Sequence, residues 1–493
     1  MNNSEDKLKE KCAVFGTYGA SSEASRLAYY SLWTLQHRGQ ESSGIATSDG
    51  KDIHHFADFG LVANVYRDED LNDLPGHIAI GHNRYSTSGG REAMYNQPFV
   101  NSAQSFAFAH NGNLPITDKL EAFLTENKVD VAKLNDSGMM TAAIDCHIQK
   151  GSILSDAIKL SYPLFQGVFS AVAMDATCLV AFRDEYGIRP LSIGKMDDGY
   201  VVASETSAFD TIGAEFMRDV LPGEMIVVDK DGLHSYQLAK GNQKLDIFEF
   251  VYFARPDSVL MGKSVNTVRE NLGRQLAKEY RIKADVVVPV PDSSIPAALG
   301  YSKKSGIPLE LGLVKNRYIN RTFIRPTEEL RKRDLMMKLN PVVESLKNKE
   351  IILVDDSIVR GTTLKQVVSM LRGSGARKIH LMISSPPVMY PDFYGINTPS
   401  QHDLIASRMN NDEICAYLGA DSLNYLSYDG MIKATGLPES VFCTSCFNGV
   451  YPATIGARAR GINYIDSRPV KKSVEAYRKA SKAHLTKSTE VLV

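Results

Sequence analysis

Two apolar runs in the second half of the chain break off abruptly into polar residues. Ile351-Ile352-Leu353-Val354 leads into Asp355-Asp356-Ser357-Ile358-Val359-Arg360-Gly361-Thr362-Thr363. Leu364, Val367, Val368 and Leu371 then follow at helical spacing, and Gly373 to Gly375 end the pattern. A continuous apolar run reads as a buried parallel strand, and the later spacing as a helix. The polar loop therefore sits at the carboxyl end of a strand, where open α/β sheets bind ligands. Ala284 to Val290, the loop Pro291-Asp292-Ser293-Ser294, and Ile295 to Leu299 repeat this design.

The first half has a different rhythm. Ala13-Val14-Phe15-Gly16 predicts a strand that opens at Cys12. Leu35-Gln36-His37-Arg38-Gly39-Gln40 ends a helix. Ile80-Gly81-His82-Asn83-Arg84 and Phe108-Ala109-His110-Asn111-Gly112 are strands running into Asn-containing polar ends, a pattern that suggests convergence on one pocket. Thr141 to Gln149 and Leu154 to Tyr162 predict helices, while Gly167 to Phe182, Tyr200 to Ser204 and Glu224 to Val228 predict strands.

The residue order in the loop after Val354 defines a chemistry. Backbone N–H groups around Arg360-Gly361-Thr362-Thr363 open a helix and suit a phosphate. Gly361 permits close approach, and Ser357, Thr362 and Thr363 add hydroxyl donors. Asp355 and Asp356 would repel a phosphate but suit ligand hydroxyls or a Mg²⁺ ion beside it. A phosphate next to vicinal hydroxyls is a ribose 5-phosphate. The second Gly and the Lys of a Walker A loop are missing.

Val354 to Thr363 resembles the phosphoribosylpyrophosphate (PRPP) motif of type I phosphoribosyltransferases. The wording Asp-Ser-Ile-Val-Arg-Gly-Thr-Thr is most similar to the glutamine PRPP amidotransferases. The resemblance implies PRPP binding by Asp355, Asp356, Ser357, Arg360, Gly361, Thr362 and Thr363. It also implies a pyrophosphate seat at Asp292 and Ser293, and Mg²⁺ held through Ser293, Asp355 and Asp356. The basic run with Lys315, Arg317, Arg321 and, further on, Lys338 would be a lid closing over PRPP.

The first half resembles the N-terminal-nucleophile glutamine amidotransferase domain. That likeness implies a Cys12 nucleophile whose own α-amine, titrating near pH ~8, is the base. Residues 1–11 would then be a propeptide. Asn111 and the N–H of Gly112 would form the oxyanion hole. Arg84 would grip the α-carboxylate of glutamine, Asp136 its α-ammonium, and Arg38 is expected beside the nucleophile with the substrate. Gly138 stands where the family usually carries an acid. The fold implied is an αββα sandwich over 12–245, followed over 246–470 by an α/β type I phosphoribosyltransferase domain with a parallel sheet. Lys471 onward reads as a basic surface helix.

Composition narrows the setting. At 493 residues and a net charge of −1, neither nucleic acid nor an anionic membrane is expected as a partner. Six cysteines in this length make no disulfide framework, and a reducing cytoplasm is the expected location. Cys443 and Cys446 match two of four cysteines that hold a [4Fe–4S] cluster in one branch of the family, but Asp246 and Asp392 stand at the other two positions. With half the sulfur ligands replaced, no cluster is expected. Family members are commonly homotetramers inhibited by AMP, GMP or ADP, so both properties are expected here. The alternatives are a sugar-phosphate or asparagine synthetase built on the same glutaminase domain, whose second-half motifs are missing, and a PRPP-sensing regulatory protein.

Overall fold

The computed structural model describes residues 12–19, 23–85, 93–316, 337–395 and 400–456. The leader 1–11, Arg317, Arg321 and the tail from Lys471 lie outside them.

The first half is a stack of four layers. One antiparallel sheet has the order Glu215–Asp219, Ser192–Met196, Gly199–Ala203, Cys12–Tyr18, Ile78–Arg84, Ser42–Ser48, Ile53–Phe59. The second runs Gly232–Gln237, Glu224–Asp229, Leu179–Arg183, Gln166–Asp175, Phe106–Ile116, Phe99–Val100. Alternation along each strand builds the layers. Val14, Ala46, Ile80, Ala107, Ala109 and Val172 meet between the sheets. Ala13, Phe15 and Ala79 face the Ala24–Thr34 helix, while Phe106, Phe108 and Ala173 face the Asp136–Ile148 and Leu154–Ser161 helices. The predicted strand Gly167 to Phe182 is two strands, because Asp175 Oδ1 accepts the N–H groups of Thr177 and Cys178 and turns the chain.

The second half centres on a parallel sheet, Val286–Pro289, Glu350–Asp355, Lys378–Ile383, Ser422–Tyr425, in that order. Ile351, Ile352, Leu353 and Val354 are all fully buried. Ile352 and Val354 pack toward the Val265–Glu279 and Ile295–Ser305 helices, Ile351 and Leu353 toward the Thr362–Gly373 helix. Each such side chain is worth roughly 1.5–3 kcal/mol relative to exposure. A Leu353→Ala truncation would cost about 2–5 kcal/mol.

The crossing between halves is short and buried. Leu245–Asp246 pairs in parallel with Phe442–Cys443. A π-helical turn, Glu249–Phe253, follows. Arg269, on the Val265–Glu279 helix, donates to the carbonyls of Phe250 at 2.8 Å and Ala254 at 2.7 Å, and so anchors that turn.

Candidate active site

Strand register brings the first-half candidates together. Cys12 lies opposite Arg84, and Ser42 flanks Arg84 on the other side. The Arg84 guanidinium lies 5.6 Å from the centre of the Tyr95 ring, a cation–π contact that holds the fork. Across the sandwich, Asn111 and Gly112 pair with Ser170 and Phe169. Gly112 has φ +155°, and a Cβ there would lie 2.0 Å from Val168 O, so only glycine fits.

Several polar groups in this region have no hydrogen-bond partner among the described residues. They are both amide atoms of Asn111, one guanidinium nitrogen of Arg84 and both ring nitrogens of His82. Asn111 and His82 are fully buried. Burial, helped by His110 and Arg84, pushes the His82 imidazole down to about 3, so it is neutral at physiological pH. Buried polar groups are ordinarily paired. A cluster that is not marks a place where a ligand supplies the partners. The other Asn-containing strand end faces away: Asn83 lies opposite Ala13, on the helix side of its sheet, and its Nδ2 donates to Leu32 O at 2.6 Å, while its Oδ1 has no partner among the described residues. Only Asn111 presents its amide between the sheets.

Arg38 lies against two buried acids. It is buried, with Nε on Glu205 and NH2 2.7 Å from Glu249 Oε2. Glu205 also accepts Ser258 Oγ at 2.6 Å and the N–H of Arg255 at 2.8 Å, and lies 2.6 Å from His37 Nε2. Burial alone would raise the Glu205 carboxyl, but Arg38 and His37 outweigh it and hold it well below the usual range. The Arg38 loop borders Arg84, the strand partner of Cys12: Glu41 N donates to Arg84 O at 3.0 Å, and a Cβ on Gly39 would lie 2.6 Å from Asn83 C. Arg38 thus links this pocket to the π-helical crossing. Asp136 opens its helix, accepting Ser137 N at 2.9 Å and Leu114 N at 3.3 Å.

In the second half the two strand-loop-helix units meet side by side. Ser294 Oγ donates to Asp355 Oδ1 at 3.0 Å, and Ser293 Oγ to Asp356 Oδ2 at 2.5 Å. Ser357 Oγ donates to Asp356 Oδ1 at 2.7 Å. Gly361 has φ +80° and precedes the Thr362–Gly373 helix, whose N-terminus carries no side-chain cap. Its first N–H groups are the kind of donors an anion uses. Lys315 pairs with Asp292 at 2.8 Å, and Asn316 N donates to Lys338 O at 2.8 Å. Leu313–Lys315 and Leu339–Pro341 form a two-stranded ribbon at the ends of the basic run.

At the two acidic positions of the cluster pattern a cation stands between the carboxylates. Arg189 NH1 lies 3.6 Å from Asp246 Oδ2 and from Glu249 Oε1, and NH2 lies 3.9 Å from Asp392 Oδ1. The two aspartates also accept local N–H groups, of Phe248 at 3.0 Å and Tyr394 at 2.8 Å. Burial, with Asp246 nearby, pushes the Cys443 thiol up to about 12 and that of Cys446 well above normal. No three His, Cys, Asp or Glu side chains are placed to hold a metal among the described residues. No helix among them is long and apolar enough to cross a membrane.

Glu205, Glu249 and Arg189 were beyond sequence reasoning, because their partners lie across the fold. His82 and His110 stood in the quoted strands without a role.

Known proteins share this arrangement. The family model described as Glutamine amidotransferase domain matches residues 82–211, and that of Phosphoribosyl transferase domain matches 261–385. An amidophosphoribosyltransferase of Synechocystis sp. is 46% identical over 457 residues, covering 91% of this chain and 92% of the relative. That of Bacillus subtilis is 43% identical over 459 residues, covering 91% and 95%. The solved B. subtilis glutamine PRPP amidotransferase, complexed with ADP and GMP, superposes with a TM-score of 0.84 at 42% identity, covering 90% of this chain and 98% of that one. A structure described as the allosteric regulatory enzyme of purine biosynthesis gives 0.85 at 42% identity, covering 91% and 97%. On identity sustained over nine-tenths of its length, the chain belongs to the amidophosphoribosyltransferase family.

Proposed function

We infer that this protein hydrolyses glutamine and passes the ammonia to PRPP, giving 5-phosphoribosylamine, pyrophosphate and glutamate, the first step of purine synthesis. The observation that carries the reading is the pairing, in one chain, of the unpartnered polar cluster beside Cys12 with the uncapped helix behind Asp355 and Asp356.

The residues take these roles. Cys12 Sγ attacks the carboxamide carbon, and the α-amine of Cys12, exposed once 1–11 are removed, takes the thiol proton. The oxyanion is received by the Gly112 N–H and the Asn111 Nδ2 donor, which thereby gains the acceptor it lacks. Arg84 holds the α-carboxylate and Asp136 the α-ammonium. The amine returns its proton to the departing nitrogen, and water frees glutamate from the thioester. Ammonia then displaces pyrophosphate at ribose C1. Bulk water would dilute and protonate it, so a shielded transfer is required, and positioning replaces a bimolecular encounter.

At the second site the N–H groups and hydroxyls of Arg360 to Thr363 hold the 5-phosphate, and the loop at Asp292 and Ser293 receives the pyrophosphate through its backbone N–H groups, with the Asp292 carboxylate turned to Lys315. Lys315 and Lys338 anchor the closing segment. Buried Asp355 and Asp356, ringed by serine hydroxyls, are an all-oxygen donor set that fits Mg²⁺, which takes few protein ligands. Bound there with Ser293, the ion would neutralise charge on the pyrophosphate. A [4Fe–4S] cluster does not fit: two carboxylates replace thiolates, the remaining thiols favour the protonated form, and Arg189 balances the acids. Purine nucleotides as inhibitors and a homotetramer rest on likeness to the relatives, one of which binds ADP and GMP.

Pyrophosphate release with glutamine plus PRPP, compared with either alone, tests the reading. Release independent of any nitrogen donor would overturn it.

A further inference from the structure

Behind Asp136 lies a closed ring of hydrogen bonds that the reaction steps above leave unused. Gln97, His110 and Ser137 are 4%, 3% and 2% exposed. His110 N donates to Gln97 Oε1 at 2.8 Å. Gln97 Nε2 donates to Ser137 Oγ at 3.1 Å, and that hydroxyl lies 2.9 Å from His110 Nδ1. The ring joins the segment before Phe99–Val100, the Phe106–Ile116 strand and the first turn of the Asp136–Ile148 helix. On the far side of the imidazole, His110 Nε2 stands 3.7 Å from Asp136 Oδ2.

The carboxylate selects the tautomer. Gln97 Oε1 is identified by the backbone N–H it accepts, so the other amide atom is the nitrogen, a donor only, and it takes one of the two lone pairs of Ser137 Oγ. The hydroxyl can then give its proton to His110 Nδ1 or accept one from it. A proton on Nδ1 alone would set the Nε2 lone pair against the Asp136 carboxylate, so the arrangement that suits both faces has Ser137 donating to Nδ1 and Nε2–H facing Asp136. Asp136 is the sole acid in the first turn of its helix, since Gly138 stands where the family usually carries one. Its aim is therefore not shared with a second carboxylate.

We propose that His110 is a positioning residue for glutamine: locked by Ser137 and Gln97, its Nε2–H orients the Asp136 carboxylate toward the substrate's α-ammonium. The proposal rests on the ammonium role given to Asp136 above.

Glutamate release and ammonia-dependent pyrophosphate release are measured on the full chain. His110→Asn keeps a polar atom near the Nδ1 position and places none at Nε2. It raises KM for glutamine about three- to tenfold, the scale of losing a polar contact to a charged group that at 3.7 Å is longer than a hydrogen bond, with kcat changed less than about threefold. His110→Gln, whose amide reaches the Nε2 position, recovers most of that loss. KM for a glutamine analogue lacking the α-ammonium is the same in wild type and His110→Asn. In an Asp136→Ala background, His110→Asn adds no further rise. Ammonia-dependent activity reports folding. If it is lost in His110→Asn, Ser137→Ala, which releases the tautomer, carries the same expectation. Equal effects on glutamine and the analogue overturn the proposal. A raised KM in Asp136→Ala with an unchanged one in His110→Asn also overturns it and leaves the Asp136 role standing. An unchanged KM in Asp136→Ala overturns both.

Discussion

Replacing Asn111 with alanine should move activity and stability in opposite directions. Its side chain is fully buried, and neither amide atom has a partner among the described residues. A buried polar group left unpaired costs about 1–3 kcal/mol. Truncation removes that cost. It leaves a cavity of roughly 25 Å³, worth on the order of 0.5 kcal/mol at ~24 cal/mol per Å³. The folded state should therefore be as stable as wild type, or up to about 2 kcal/mol more so. In the reaction the same amide gains its partner, the oxyanion. Loss of one such donor costs about 10²–10³ in kcat. Glutamate release at saturating glutamine and PRPP measures the first quantity, and the denaturant midpoint the second. Ammonia-dependent pyrophosphate release should be unchanged, because the second site is untouched. A kcat within tenfold of wild type, or a clearly lowered midpoint, would refute the reasoning.

Cys12→Ala should abolish glutamine use and leave ammonia-dependent synthesis intact, read by comparing the two nitrogen donors. Asp356→Asn keeps one of the two acceptor oxygens that Ser293 and Ser357 use and removes the charge, so pyrophosphate release should fall at least about 10-fold with either donor; retained ammonia-dependent turnover would count against the Mg²⁺ role. Glu205→Gln should cost about 1.5–3 kcal/mol at pH 7, since it removes one of the two carboxylates that buried Arg38 engages and leaves Glu249 as the other. The carboxyl of Glu205 is lowered on folding, so its contribution is present above the ordinary carboxylate value of 4.5 and is lost as pH falls through the folded one. The gap between wild type and variant in urea midpoint should therefore narrow in acid. A gap that widens there would show the sign to be wrong.

The parts legible in the sequence were those written locally. A strand, a polar loop and a helix follow one another within residues 350–373, so the phosphate-binding unit could be read directly. Alternation in 12–16, 80–84 and 106–112 gave the strands whose ends gather the polar cluster. The charge partners were not legible. Arg38 was expected beside the nucleophile with the substrate from the family likeness, and its acid partners Glu205 and Glu249, 167 and 211 residues away, had no signal near it. Asn83 and Asn111 looked equivalent, and only the face each presents separates them. At the cluster pattern, Asp246, Asp392, Cys443 and Cys446 were visible as substitutions. The cation balancing the acids, Arg189, comes from the other half of the chain and has no local signal.

The two-residue bridge between Leu245–Asp246 and Phe442–Cys443 bears on how the protein is made. On the ribosome the glutaminase half emerges first, but the partner of its exit strand comes about 200 residues later. At ~5–20 residues per second that is a wait of roughly 10–40 s. For that interval Asp246 lacks its strand partner, and Arg189 lacks Asp392. The early half reaches its final pairing only when nearly the whole described chain has been synthesised.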